Sequence, residues 1–220
     1  LPIYLVVAKD APDCPPAKSL GEYLHVLKDK DAWWFMFFYS VTFGGFVGLA
    51  SSLTIYFNTQ YGLDPKTAGF FTAACVFAGS LVRPIGGNVA DRIGGIKSLT
   101  VMYVLAALFL AIVSFGMPEA WQALAVFVCA MLSLGMGNGA VFQLVPQRFR
   151  KEIGVMTGLV GMAGGVGGFY LASSLGYSKQ VTGSYQAGFL IFAALAIAAL
   201  LGLTAVKRRW RTTWGAPHLT

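Results

Sequence analysis

The stretch GSLVRPIGGNVADRIGG, Gly79 to Gly95, carries Arg83, and Arg83 is the only ionisable side chain between Ala68 and Val89. A guanidinium offers a planar fork of donors that suits a flat oxyanion better than the point charge of a lysine. Pro84 follows it directly, cannot donate a backbone hydrogen bond and favours a kink, while Gly79, Gly86 and Gly87 allow another backbone or a ligand to come close. Two further stretches hold groups that could touch a ligand. GLVGMAGGVGGF places Gly158, Gly161, Gly164, Gly165, Gly167 and Gly168 in one apolar run, and SLGMGNGAVFQLVP sets Asn138 between two glycines with Gln143 beyond it. Tyr39 and Phe43 lie one helical turn apart in an aromatic-rich run that opens with Trp33 and Trp34. The glycine series is not a dinucleotide fingerprint, because that motif needs a preceding strand and the G-x-G-x-x-G spacing. Cys14, Cys75 and Cys129 show no metal-ligand spacing, and lone packing thiols are the simpler reading. These residues describe binding, so no enzyme, no cofactor and no metal site is expected.

The elements that must position them follow from composition. With 56% hydrophobic and 11% charged residues and a mean hydropathy of +0.67, the chain lies outside the range of soluble domains. Apolar windows near the length that crosses about 30 Å of hydrocarbon occur at roughly 33–57, 68–89, 98–116, 121–145, 154–175 and 185–206. They are too long for strands and lack period-2 alternation, and lipid admits only helices or closed barrels. An all-α six-helix membrane bundle is expected. With alternate connections on opposite sides, one side collects Lys9, Lys18, Lys28, Lys30, Arg92, Lys97, Arg148, Arg150, Lys151, Lys207, Arg208, Arg209 and Arg211, and the other only Lys66 and Lys179. The positive-inside rule then places both ends of the segment in the cytoplasm. The net charge of +7 is thus a topology signal, and without a basic stripe interleaved with aromatics no nucleic-acid partner is expected.

That setting makes Arg83 costly. An arginine at the centre of a span costs about 2.5–3.5 kcal/mol on insertion scales and normally faces a cavity or a partner. All nine carboxylates, Asp10, Asp13, Glu22, Asp29, Asp31, Asp64, Asp91, Glu119 and Glu152, fall in connections, in the linker or at helix ends, and His25 and His218 lie outside the bilayer. The countercharge is then an anionic ligand, unless Arg83 pairs with helix carbonyls or with an acid outside this chain. The glycine series allows plain helix packing or packing plus a ligand-facing surface. Asn138 allows a hydrogen bond across helices, the favoured reading, or a ligand contact. With no acid or histidine in the spans, no proton carrier is evident.

The chain opens LPIYLVVAKDAPDCPPAKS, without a charged n-region before a long apolar core, so it reads as the tail of an earlier helix and a linker, not a signal peptide. Ser19 with Glu22 fits a capping box, and Leu20, Tyr23, Leu24 and Leu27 recur at helical spacing, which suggests a short amphipathic surface helix. The expected organisation is residues 1–32 as helix end and linker, 33–206 as the six-helix part, and 207–220 as a basic tail.

GGNVADRIGG resembles the cytoplasmic loop motif of the major facilitator superfamily, with Gly87, Asp91, Arg92 and Gly94 at the matching places. Together with GMGNGAVFQLVPQRF and GLVGMAGGVGGF, the stretch GSLVRPIGGNVADRIGG resembles the nitrate/nitrite porter family within it, and the glycine run is similar to that family's nitrate signature. The resemblance implies that the chain is the C-terminal six-helix half of a twelve-helix porter of the cell membrane that moves nitrate or nitrite by alternating access. It implies that Arg83 is one of two clamping arginines, the other in an N-terminal half. It also implies that Tyr39 and Phe43 are an aromatic pair beside the anion, one hydrogen-bonding and one covering it. Gly164, Gly165, Gly167 and Gly168 would flank the pathway, and Asp91 and Arg92 would hold a gate. The alternatives are a porter for another small anion or solute and a membrane module that binds an anion without transporting it.

Overall fold

A computed structural model describes Gly21 and residues 25–213. The capping box at Ser19 and Glu22, most of the expected surface helix and Cys14 lie outside the described residues. What is described of that region is a single 3-10 turn, His25–Lys28, ahead of seven α-helices. These are α1 (Lys30–Tyr61), α2 (Pro65–Leu81), α3 (Arg83–Ile93), α4 (Gly95–Ser114), α5 (Ala120–Arg148), α6 (Ile153–Thr182) and α7 (Gln186–Thr213). Among the described residues, with α2 and α3 counted as one span, six helices are long and apolar enough to cross a membrane. They match the six expected windows and extend most of them into the connections.

Local chemistry sets the ends. Asp29 caps α1 by accepting from the Asp31 backbone N–H at 2.8 Å, and α1 stops at Gly62, whose φ of 65° is left-handed. Asp64 caps α2 from the Thr67 N–H at 3.0 Å, with Pro65 in the first turn where a missing donor costs nothing. The kink expected at Pro84 is a break. The α2 helix ends at Val82 and α3 begins at Arg83, with Pro84 in its first turn, so the site arginine stands at a helix start within a span. Backbone bonds still cross the break, from Val82 N–H to Ala78 at 3.3 Å and from Gly86 N–H to Val82 at 2.9 Å.

Two glycine-lined crossings hold the bundle at bilayer depth, where small residues allow backbone contact. In the first, α1 packs along α6, the most extensive helix contact in the structure, and the two run parallel. A methyl group at Gly44 would meet the Gly167 backbone at 2.8 Å, and one at Gly48 would meet Leu171 at 3.0 Å. In the second, α2 and α3 cross α5, with Gly79 facing Met131, Gly86 facing Met136, Gly135 facing the Gly79 carbonyl and Gly139 facing the Arg83 carbonyl. Gly135→Ala is therefore expected to cost about 1–3 kcal/mol, the range for overpacking a close contact. Gly69→Ala, on α2 with nothing within 4 Å of the added methyl, is expected to stay within about 0.5 kcal/mol of wild type. Thermal unfolding in detergent compares the two, and equal melting temperatures would contradict the crossing as described.

Packing also separates inner from outer spans. The apolar windows of Pro65–Ile93 and Ile153–Thr182 are 22% and 28% buried, against 44–56% for the other four. Large side chains such as Phe70, Phe77, Leu81 and Ile85 project outward from the first of these, and Phe169 and Tyr170 from the second.

Candidate functional site

Arg83 of α3 meets Tyr39 and Phe43 of α1, and Asn138 lies on the adjoining α5. Tyr39 and Phe43 are successive-turn neighbours on α1 and their rings stack, with centroids 5.1 Å apart and planes within 6°. Phe142 of α5 closes on Tyr39 edge-on at 4.9 Å. The rings rest on Gly164, where any β-carbon would lie 2.7 Å from Phe43 and 2.8 Å from Tyr39, so glycine is what lets the aromatic pair lie flat against α6. Gly167 and Gly168 continue this contact against Ser40 and Val47 of α1.

The Arg83 guanidinium lies over the Phe46 ring at 4.4 Å from its centroid, with Phe43 at 5.4 Å. Such stacking attracts the cation to the negative ring face and leaves its donors free at the edge. Among the described residues Arg83 makes no ion pair, and its buried Nε has no hydrogen-bond partner. Asn138 is 2% exposed, and among the described residues neither its amide nitrogen nor its oxygen has a partner. The hydrogen bond expected from Asn138 to a neighbouring helix is not among those of the described residues. Asn138 lies one turn from Phe142 and next to Gly139, which abuts the Arg83 carbonyl, and so stands beside this junction on α5. A planar fork, a flat aromatic wall and an unmet amide can hold a small planar anion. None of these side chains is a nucleophile or a base at neutral pH.

Not every expected residue joins them. Gly165 and Gly158 are exposed and Gly161 half-buried, and none of the three has anything within 4 Å of an added methyl. The signature helix thus has two faces, one packed on α1 and one open. Asp91 and Arg92 lie about 12 Å further along α3 at 1.5 Å per residue, exposed and without a side-chain partner among the described residues. Gly87 passes 3.9 Å from the Gly139 carbonyl as measured from an added methyl, and Gly94 makes the α3–α4 turn at φ 92°.

The sequence reading singled out neither Phe46 nor Phe142. Phe46 has a legible signal, since it follows Phe43 by three residues and so shares its helix face. A second polar centre was missed as well. Asp31, 4% exposed in the first turn of α1, accepts from Arg148 Nε at 2.9 Å and Trp210 Nε1 at 2.8 Å, and pairs with Arg209. Asp29 pairs with Arg148. The ends of α1, α5 and α7 are joined there.

Six spans long and apolar enough to cross a membrane, one of them carrying an arginine that stacks on aromatic rings and has no ion pair among the described residues, define a multi-pass membrane protein. The chain belongs to the Major Facilitator Superfamily, which it matches over residues 4–172. It is 36% identical over 181 residues to the nitrite extrusion protein of Bacillus subtilis, covering 80% of this chain and 44% of that protein. To a probable nitrate/nitrite transporter of Mycobacterium tuberculosis it is 33% identical over 204 residues, 90% of this chain and 51% of the relative. A probable nitrate/nitrite antiporter of Thermus thermophilus is 30% identical, with coverages of 82% and 45%. The chain spans about half the length of these curated relatives.

Proposed function

We propose that this chain is the C-terminal six-helix half of a porter that moves nitrate and nitrite across the cell membrane by alternating access, without chemistry on the solute. The observation that carries the reading is Arg83, a charge within an apolar span that has no acidic partner among the described residues, held against Phe46 and Phe43 with its buried Nε unpartnered. In this role Arg83 grips the anion edge-on, Tyr39 supplies a phenol beside it, Phe43 covers it, and Asn138 offers an amide from α5. The relatives' names point to the same solute pair.

The two outer spans fit the faces that an N-terminal half would meet, and Gly158, Gly161 and Gly165 leave the α6 face smooth enough for close approach. Rocking of two halves about a midplane site is the general mechanism of such folds. Asp91 and Arg92, exposed at the far end of α3, are placed to hold one conformation by contacts outside the anion site. Both ends of the segment face the cytoplasm on the charge distribution.

The test is uptake of nitrate into proteoliposomes by the protein expressed in its full reading frame. Nitrite is expected to compete at similar concentrations, and larger carboxylates such as malonate are expected to compete at least tenfold more weakly. Strong malonate competition would favour a porter for another anion, and saturable nitrate binding without uptake would favour a non-transporting module.

A further inference from the structure

We infer that the groove between α6 and α7, floored by α1, holds an acyl chain of an anionic phospholipid whose headgroup rests on Lys28 and Lys30. The groove is a cavity of about 470 Å³ that does not reach Arg83, Tyr39 or Phe43. Its wall on α6 runs from Met162 to Ser174, while α7 contributes only Ile191 and Leu195. The two helices close where a methyl at Gly188 would meet Leu175 at 2.7 Å, and below that point α7 leaves the α6 wall uncovered. Trp33, Met162, Val166 and Tyr170 form an exposed rim, 51–68% accessible, so the opening is lateral and lies at bilayer depth.

The chemistry of the wall selects an apolar occupant. Ser40 and Ser174 face the groove, yet each hydroxyl donates to its own helix, to Phe37 and Leu171, both at 2.8 Å. The Trp33 indole N–H donates to the Leu27 carbonyl at 2.9 Å. Apart from the phenol of Tyr170 at the rim, the wall presents no polar group seeking a partner, so a polar solute would gain nothing for its lost hydration. The shape selects a chain. Met162 to Ser174 covers about 18 Å of helix at 1.5 Å per residue, close to one leaflet of a hydrocarbon core about 30 Å thick.

Charge at the mouth selects the headgroup. The Trp33–Leu27 bond fixes an indole where tryptophans mark the membrane interface. Lys28 follows Leu27 directly, and Lys30 precedes Trp33 by one turn on the same helix face as Phe37 in the groove floor. Both lysines are exposed and unpaired among the described residues. The carboxylates beside them, Asp29 and Asp31, are taken by Arg148 and Arg209. A net positive rim therefore remains, which favours anionic over zwitterionic lipid.

Native mass spectrometry of the full-length protein, loaded separately with palmitoyl-oleoyl phosphatidylglycerol and phosphatidylcholine, tests this. Wild type is expected to retain one phosphatidylglycerol at least fivefold more than phosphatidylcholine. Ala163→Phe, which fills the groove, is expected to lose the bound lipid, with Ile191→Phe as a second filler should the first not fold. Lys28→Gln with Lys30→Gln is expected to keep a lipid but bring the two lipids to equal retention. Unchanged retention in a folded filled variant, equal retention of both lipids by wild type, unchanged phosphatidylglycerol preference in the lysine variant, or no retention because the rest of the protein occupies the groove would each overturn the inference.

Discussion

Arg83→Lys is expected to raise the nitrate concentration needed for half-maximal uptake by about 10- to 150-fold, with the folded protein as stable as wild type. The size follows from the geometry of the charge. Lysine keeps the positive charge but loses the fork, so one of two charge-assisted hydrogen bonds to a planar anion is gone, and each such bond contributes about 1.5–3 kcal/mol. The rings add to this, because Phe46 lies 4.4 Å from the guanidinium carbon and presents a flat surface that matches a flat cation. An ammonium there would be oriented by nothing in the described structure. Arg83→Ala separates binding from folding more sharply. It should abolish saturable uptake and yet leave the thermal midpoint of the solute-free protein unchanged or higher, since no described ion pair is broken and an intramembrane charge is removed. Uptake by Arg83→Lys with unchanged half-saturation would remove Arg83 from the site. A large loss of stability in Arg83→Ala would recast it as a structural cation.

The candidate anion site stood out in the sequence more than the packing around it, for a physical reason. A charge in an apolar window is expensive, so Arg83 stands out without any knowledge of its neighbours, and the absence of acids from the spans narrows what can face it. Tyr39 and Phe43 were legible because helical periodicity puts i and i+4 on one face. Phe46 shares their face at i+3 but is one of many rings in the run from Trp33, and Phe142 lies on another helix, so only the crossing with α3 and α5 decides which ring meets Arg83. Gly164 and Gly165 are neighbours of identical type, yet one lies under the aromatic pair and the other faces open space. Which face of a helix is packed depends on its partner, and an apolar helix with glycines on several faces does not announce one. The break at Val82 was half legible, since Pro84 predicts a distortion but not that Arg83 becomes the first residue of a new helix. The six spans needed only hydropathy and length.

Hardest to read in advance was Asp31, whose partners Arg148 and Arg209 lie 117 and 178 residues away. Asp31→Ala is expected to be the most destabilising single change outside the glycine crossings, at about 2–4 kcal/mol. Removing one partner of a buried ion pair costs about 3–5 kcal/mol where the other charge is left stranded. Here the Arg148 and Arg209 side chains keep 33% and 41% exposure, so water recovers part of that loss. The fully buried Trp210 has no such relief, because its indole N–H donates to Asp31 at 2.8 Å while its ring stacks on Phe35 at 4.9 Å. A stranded buried donor costs about 1–3 kcal/mol. Asp31→Asn should accordingly cost less than Asp31→Ala, since the amide oxygen can still accept from Trp210. Asp29→Ala should cost about 1–2 kcal/mol, less than Asp31→Ala, because it loses the α1 cap on the Asp31 N–H and a pair with Arg148 that is partly solvated, Asp29 being 31% exposed. Thermal unfolding of the four proteins in one detergent ranks them. Equal losses for Asp29→Ala and Asp31→Ala would mean that the network acts as surface charge, and an unchanged midpoint in Asp31→Ala would show that the ends of α1, α5 and α7 are held together by the apolar contacts of Phe35, Phe149 and Trp210 alone.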